Sequence, residues 1–272
     1  MHTPWQTPGN TELSNTVHQW MPSDTEINYL HRGGDHSIYG PRSFDYRYNE
    51  LGWRCDSMLA PRSHKHRVIW AGCSVTEGIG LPMQATWGAD LTNRLRAELA
   101  SPSMPYWCVA RGGASQDYLA RQLSMMIPKL RPQVVVALLP DIARRELHGP
   151  QGLINWTPGD SLNQALTESL LQIWSDDQIL HDAHKNIVFM HSICAAHDCD
   201  FWWHTAMYTH QDCYAHLLQG LPQSLRDCHF NSAPGGGDLA RDGLHGGPQT
   251  HADFAAALWT EIGPRIVAKC HG

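Results

Sequence analysis

The chain of 272 residues is 42% hydrophobic and 17% charged, and its formal net charge is −6. This length fits one large domain or one domain with an extension, and the acidic balance without a basic run argues against nucleic acid as a partner. No segment approaches about 18 consecutive apolar residues, so we expect neither a transmembrane helix nor a membrane partner.

The N-terminus and the cysteines indicate the cellular compartment. Residues 1–5 lack the positive segment and the apolar core of a secretion signal, and the eight cysteines show no tight, even framework. We therefore expect a cytoplasmic protein with reduced thiols. The sequence does not predict the oligomeric state.

Residues 1–45 are rich in proline, glycine, asparagine, aspartate and serine and show no long helical period. This composition predicts an extended arm with a few turns. A solvated tail would contain fewer aromatic residues, whereas Trp5, Trp20, Tyr29 and Tyr39 give this segment anchors to bury. We predict an arm over residues 1–45 that packs on a domain formed by residues 46–272.

Alternating strand and helix signals follow the arm. A short apolar run from Val68 ends in a loop with two glycines, which is typical of a buried parallel strand. The next predicted elements are a helix at 84–99, a strand at 106–110, a helix at 116–130 capped by Ser115, and a strand at 133–139.

The second half gives weaker signals. We expect a long loop through Pro158, a helix from Ser161 to about His184, and a fourth strand at 187–191. Trp202 and Trp203 are placed on or near a strand. A short helix at 209–218, a weak fifth strand at 228–230 and a closing helix at 250–269 complete the chain. This alternation predicts a parallel sheet with helices on both faces.

Ser74 lies where the first strand ends, and ligands bind at the carboxyl ends of strands in open α/β sheets. Three motifs are excluded there. The loop has no Lys before a Ser or Thr for a phosphate loop, no third glycine for a dinucleotide loop, and Thr76 in place of the second glycine of an α/β-hydrolase elbow. The alternative is that Ser74 only caps the loop or the helix.

A second candidate motif stands near the C-terminus. Asp242 precedes His245 by three residues on a glycine-rich turn before the last helix. A serine nucleophile needs a base, and the base needs a group that holds its tautomer, which an aspartate at this spacing can do. Taken alone, the pattern is better explained as an ordinary surface turn.

In this order the motifs resemble the blocks of the SGNH (GDSL-type) hydrolase superfamily. Residues 72–80 match Gly-Asp-Ser-x-Thr-x-Gly-x-Gly with Cys73 in the Asp place, and Gly113 corresponds to the glycine of the second block. Asp242 and His245 match the final block. The resemblance covers roughly residues 45–272 and includes the Asn-x-x-Gly-x-Arg lead-in at residues 49–54.

The resemblance implies a flavodoxin-like α/β/α sandwich of three layers with a mainly parallel sheet of five strands. It implies a serine esterase in which Ser74 attacks, His245 is the base, Asp242 holds the base, and the N–H groups of Ser74 and Gly113 bind the oxyanion. The implied substrates are short acyl esters or O-acetyl groups, possibly on a carbohydrate, with no cofactor. The alternatives are an inactive carbohydrate-binding or assembly module and an acyltransferase.

One departure from the family pattern concerns the oxyanion. The third block is Gly-x-Asn-Asp, but here the third strand ends in Pro140-Asp141 without an asparagine. Losing one oxyanion donor lowers the rate by about 10²–10³. The site is therefore either weaker or completed by another donor, for which the side chains of Gln116, Arg144 and Arg145 are the candidates. We expect Arg144 or Arg145 to lie near the site. The alternative for the arginines is a solvated pair bonded to the neighbouring Glu146.

Histidine and cysteine crowd the segment that contains His191, Cys194, His197, Cys199 and His204. The spacing of its two cysteines fits a zinc site only loosely, so no metal is expected.

Two further features have a packing interpretation beside a functional one. Cys73 adjoins Ser74, but side chains alternate along a strand, so packing in the core is the better interpretation. Trp156, Trp202 and Trp203 are either a sugar-binding surface or part of the core and its rim.

Overall fold

The computed structural model describes residues 8–32, 38–149, 152–157, 167–169, 172, 175–205 and 211–272. The strands are β1 (Val17–His18), β2 (Tyr46–Arg47), β3 (Val68–Gly72), β4 (Trp107–Ala110), β5 (Val134–Leu139), β6 (Arg145–Gly149), β7 (Gly152–Trp156) and β8 (Asp200–Thr205). The helices are α1 (Glu26–His31), α2 (Ser74–Glu77), α3 (Trp87–Glu98), α4 (Gln116–Leu130), α5 (Asp176–Ala195), α6 (Gln211–Gly220), α7 (Gln223–Asp227) and α8 (Pro248–His271). In this described part of the chain, no helix has the length and apolar character needed to cross a membrane.

The centre of the fold is a parallel sheet in the order β4-β3-β5-β8. Helix α3 packs on α8, and α4 packs on α5, which gives the sheet two helical layers. The predicted α/β class with a mainly parallel sheet is therefore confirmed. The predicted fifth strand is reduced to a bridge between Trp203 and His229, with backbone hydrogen bonds from Trp203 to Cys228 and from Phe230 to Trp203.

Burial explains why the central strands are continuous apolar runs. Every residue of β3 and β5 is buried, as expected for parallel strands that are covered on both faces. Trp70 of β3 faces α3, where its ring lies 5.5 Å from the ring of Trp87, which in turn lies 5.3 Å from Phe254 of α8. Because β4 and β5 lie on opposite sides of β3, the carboxyl end of β3 is the point at which ligands bind in such sheets.

The helix at α4 was predicted with its observed bounds, and the Ser115 hydroxyl caps it by accepting the N–H of Tyr118 at 3.1 Å. The predicted fourth strand at 187–191 is wrong, because those residues lie inside α5 and the strand is β8. Their apolar run is helical: Ile187, Met190 and Cys194 are buried at helical spacing.

Two further expectations for this region have different outcomes. The predicted loop before Pro158 contains the antiparallel hairpin β6–β7. The helix start predicted at Ser161 lies outside the described residues.

A buried ion pair fixes the arm to the domain. Asp24 of the arm and Arg241 are both fully buried, with the guanidinium 2.6 Å from the carboxylate and also bonded to the carbonyl of Gln19. The guanidinium lies 4.3 Å from the ring centre of Trp20 and 3.9 Å from that of Phe44. Asp24 and Trp20 therefore lie against the segment just before Asp242.

Tyr29 and Tyr39 are partly buried, and Trp5 lies outside the described residues. The boundary at residue 45 stays a prediction.

Candidate active site

Ser74 is the first residue of α2 and follows β3 after a single residue. The turn needs glycine at residue 72, where a Cβ atom would come within 2.0 Å of the Thr76 hydroxyl and 2.8 Å of the Leu138 carbonyl oxygen. Because the end of β3 lies this close to Leu138 of β5, Ser74 stands at the carboxyl edge of the sheet beside the end of β5. Cys73 is 1% exposed and belongs to the hydrophobic core, in agreement with the packing interpretation.

Three side chains form a hydrogen-bonded series at this edge. The Nε2 atom of His245 lies 2.8 Å from the Ser74 hydroxyl, and its Nδ1 atom lies 2.5 Å from Oδ2 of Asp242. Asp242 is fully buried, and its other oxygen accepts the backbone N–H groups of Leu244 and His245, each at 3.0 Å. The series is therefore hydroxyl, imidazole and carboxylate in hydrogen-bonded order.

The carboxylate decides which imidazole nitrogen bears the proton. Burial raises the pKa of Asp242, but hydrogen bonds from the ring and backbone of His245 and from the backbone of Leu244 outweigh it, and the net pKa is lowered. An ionised Asp242 only accepts, so Nδ1 of His245 donates to it and Nε2 is left to accept the proton of Ser74. This is the tautomer that a general base needs.

The serine loop and the loop bearing Asp242 meet at Gly80. This residue has φ +82°, and a Cβ there would lie 2.7 Å from the Cβ of Ala240 and 3.2 Å from the nitrogen of Asp242. Its carbonyl oxygen accepts the N–H of Arg241 at 3.0 Å. The last glycine of the 72–80 segment thus allows the two loops to pack in contact, which brings residues 171 positions apart within hydrogen-bond distance.

The glycine loop, Gly112 and Gly113, borders the larger cavity beside Ser74. Gly113 has φ +74°, and a Cβ there would meet nothing within 4 Å, so glycine is favoured by backbone conformation rather than by space. The preceding Gly112 donates its N–H at 2.5 Å to Glu77, whose other oxygen accepts the Tyr48 hydroxyl at 2.6 Å. Glu77 is the last residue of α2, so one four-residue helix joins Ser74 to the glycine loop.

Sequence reasoning missed Glu77, which is only 2% exposed. Burial raises its pKa despite the opposing hydrogen bonds from Tyr48 and Gly112. The available signal was an acidic residue inside an otherwise apolar and glycine-rich block, where a carboxylate needs partners to be buried.

The three candidates for the missing asparagine have different positions. Arg144 borders cavities that also expose Ser74 and His245. Arg145 is buried, donates to the Ile142 carbonyl at 2.6 Å and lies 3.6 Å from Asp182.

The side chain of Gln116 is also buried, and it donates to the carbonyl of Pro140 at 3.1 Å. The expectation that Gln116 or Arg145 reaches the site is thus corrected: both hold the turn after β5. Arg144 borders the cavities at Ser74, whereas Arg145 reaches Asp182 of α5, so the two side chains lie in different places. Glu146 binds Arg121 through both carboxylate oxygens, each at 2.7 Å.

Two cavities meet at Ser74 and His245. The larger, about 640 Å³, lies between the arm and the glycine loop, and the smaller, about 290 Å³, lies beyond His245. His251 borders the smaller cavity and accepts the N–H of Trp87 at 3.1 Å. Burial and the nearby His245 lower the pKa of His251 to about 4, so it stays neutral and does not compete as a base.

His191 and Cys199 of the histidine- and cysteine-rich segment border a cavity whose lining does not include Ser74 or His245. Within the described residues, no group of three or more His, Cys, Asp or Glu side chains is arranged to hold a metal ion. Trp156, Trp202 and Trp203 are at most 7% exposed, which favours their packing interpretation over a sugar-binding surface.

No protein-family model matches the chain, and no curated protein matches it in sequence. Solved structures that resemble it include the psychrotrophic esterase EstA from Pseudoalteromonas sp., with 12% identity, a TM-score of 0.48, and coverage of 74% of this chain and 98% of that one. A family 3 carbohydrate esterase from Clostridium thermocellum has 13% identity, a TM-score of 0.49, and coverage of 75% and 98%. An acetylxylan esterase from Geobacillus stearothermophilus has 12% identity, a TM-score of 0.47, and coverage of 73% and 94%. At these values the likeness carries no argument about activity, which has to come from the site itself.

Proposed function

We propose that the protein is an SGNH-type serine esterase that hydrolyses carboxylic esters through an acyl-enzyme on Ser74. The observation that carries the proposal is the hydrogen-bonded series of Ser74, His245 and Asp242 at the junction of two cavities. A surface turn would not need a fully buried carboxylate aimed at an imidazole that in turn reaches a strand-end serine. The resemblance of the sequence blocks to the SGNH superfamily supports the same conclusion.

The proposed reaction has two halves. The Ser74 hydroxyl attacks the ester carbonyl while Nε2 of His245 takes its proton, and Asp242 stabilises the imidazolium. His245 then gives the proton to the leaving alcohol, and the ester C–O bond breaks to leave an acyl-enzyme. Water attacks the acyl carbonyl with His245 again as base, and the carboxylic acid leaves as Ser74 regains its proton.

The negative charge on the carbonyl oxygen needs donors that are in place beforehand. We assign this role to the backbone N–H groups of Ser74 and Gly113, with the bond from Gly112 to Glu77 holding the glycine loop in position. Arg144 is the proposed third donor, in place of the absent asparagine, because it borders both cavities beside Ser74. A guanidinium hydrogen bond to an oxyanion is charge-assisted and therefore strong.

The test is turnover of p-nitrophenyl acetate and butyrate by the wild-type protein and by Ser74→Ala. We expect kcat to fall by about 10⁴-fold or more in Ser74→Ala, as when a serine nucleophile is removed elsewhere. Ser192→Ala is the matched control, because Ser192 is an exposed residue of α5 whose hydroxyl donates to the Val188 carbonyl of the same helix.

The outcomes separate the competing functions. Absence of turnover in the wild-type protein, or turnover that persists in Ser74→Ala, would favour an inactive binding or assembly module. Ester products formed with an added sugar or alcohol acceptor, in excess over free acid, would favour acyl transfer through the same acyl-enzyme.

A further inference from the structure

Residues of the N-terminal arm form the outer wall of the larger cavity. Leu13, Met21 and Pro22 of the arm border it, and Ile79 borders it from the serine loop. Leu13 and Met21 also pack on a cluster formed by Tyr46, Tyr48 and Ile79, which is separate from the main hydrophobic core. An apolar surface of this kind, in the cavity that Ser74 also borders, fits an apolar part of a ligand.

The arm wall is fixed to the domain at several points. Residue 13 ends a 3-10 turn, Thr11–Leu13, and the hydroxyl of the following Ser14 donates to the carbonyl of Glu50 at 2.5 Å. At the cavity, Glu12 of the arm pairs at 2.8 Å with Arg111, the residue before the glycine loop. A wall held in this way loses little freedom when a ligand binds, which favours affinity.

The proposed reaction places the alcohol half and the acyl half of the ester in different cavities. The leaving oxygen must come within reach of Nε2 of His245, so the leaving alcohol belongs on the His245 side. His245 borders both cavities, and the smaller one continues past the imidazole to Gly246, Thr250 and His251, so we place the alcohol there. The acyl chain, the remaining substituent of the attacked carbon, then extends into the larger cavity beneath the arm.

Size favours a chain longer than acetyl. If each chain carbon occupies about 30 Å³, roughly the share of one water molecule, an acetyl group occupies about 60 Å³ and an octanoyl group about 240 Å³. The cavity of about 640 Å³ accepts the longer chain, whereas acetyl would leave most of the apolar wall uncovered.

We propose that the arm forms an acyl-chain site and that the substrates are esters of unbranched, medium-chain carboxylic acids rather than acetates. This rests on the proposed esterase function and replaces the expectation of short acyl substrates. Each methylene placed against the apolar wall raises kcat/KM by up to about fourfold, which corresponds to about 0.8 kcal/mol per buried methylene.

The first test is the chain-length profile of kcat/KM for p-nitrophenyl acetate, butyrate, hexanoate and octanoate. We expect a rise of about 100-fold or more from acetate to octanoate, a conservative fraction of the full burial of six methylenes. A profile that peaks at acetate in an enzyme that requires Ser74 would overturn the acyl-chain site and leave the esterase intact. Absence of turnover with every ester would instead remove the esterase, and the acyl-chain site with it.

The second test assigns the effect to the arm. Leu13→Gln keeps the size of the side chain but makes the wall polar, so the octanoate-to-acetate ratio of kcat/KM should fall by about tenfold or more. Ile27→Gln is the matched control, because Ile27 lies on the same arm and is 67% exposed. The ratio should remain at the wild-type value in that variant.

Met21→Gln repeats the test at a second point of the wall, and thermal unfolding of each variant shows whether it is folded. An unchanged ratio in folded Leu13→Gln and Met21→Gln would contradict the assignment of the acyl chain to the arm.

Discussion

Replacement of Asp24 tests whether the arm is an integral part of the domain. In Asp24→Ala, the guanidinium of Arg241 stays buried but loses the carboxylate to which its Nε and Nη2 atoms donate. Removing one partner of a buried ion pair typically costs about 3–5 kcal/mol, because the remaining charge is left without compensation. That loss is a large part of the roughly 5–15 kcal/mol by which domains are stable.

The assay is urea unfolding monitored by tryptophan fluorescence, with activity measured in parallel. Arg241 adjoins Asp242, so we expect Asp24→Ala to lower both the unfolding free energy and kcat. Asp45→Ala is the matched control, since Asp45 pairs with Arg47 on the surface, where the arginine side chain is 71% exposed. That change should cost less than about 1 kcal/mol.

A double variant checks the physical reason for the loss. Asp24→Ala with Arg241→Met removes the uncompensated charge and should recover part of the stability that Asp24→Ala loses. If Asp24→Ala costs no more than Asp45→Ala, the arm does not bury this ion pair against the domain, and its role as a cavity wall loses its support.

Three further variants test the proposed roles around Ser74. Arg144→Ala should lower kcat for p-nitrophenyl butyrate by about 10²–10³ with a smaller change in KM, because an oxyanion donor acts in the transition state. Unchanged kcat in this variant would exclude Arg144 as the donor. Glu77→Gln replaces one acceptor oxygen with an NH₂ donor that faces either Tyr48 or Gly112, so kcat should fall by about tenfold or more. If kcat of Glu77→Gln equals that of the wild-type protein, the glycine loop does not need this contact. Asp238→Ala should lower the unfolding free energy by about 1–2 kcal/mol at pH 7, because Asp238 accepts the N–H groups of Gln249 and Thr250 at the start of α8. Burial raises the pKa of Asp238 but these bonds outweigh it, and the net pKa is lowered. Its stabilisation is therefore present above the pKa of the unfolded chain and is lost as the pH falls through the folded pKa. Urea unfolding at pH 7 and pH 3 measures this, and a difference between variant and wild type that does not shrink at pH 3 would contradict it.

Local signals were sufficient for the elements that border the site. The valine run of β5 and the Ser115 cap of α4 are determined by nearest neighbours in sequence, so their bounds could be predicted. The run beginning at Ile187 was misread because a short apolar stretch fits a buried strand and a helix face equally well. In the folded chain it is part of α5, which packs on α4.

Long-range contacts account for what the sequence could not predict. Asp24 and Arg241 are 217 positions apart, and nothing near either residue indicates that they pair. The same holds for Leu13, whose place in the cavity wall depends on how the arm folds over the serine loop. The Ser74, His245 and Asp242 set was recognised only because its sequence blocks resemble a known family.

The proposed esterase function depends on the activation of Ser74 by His245 and Asp242. The most direct measurement is mass-spectrometric mapping of the adduct that an alkyl fluorophosphonate forms with the folded protein. We expect a single adduct on Ser74, formed much more slowly in His245→Ala. No adduct on Ser74, or equal labelling rates in the two proteins, would contradict it.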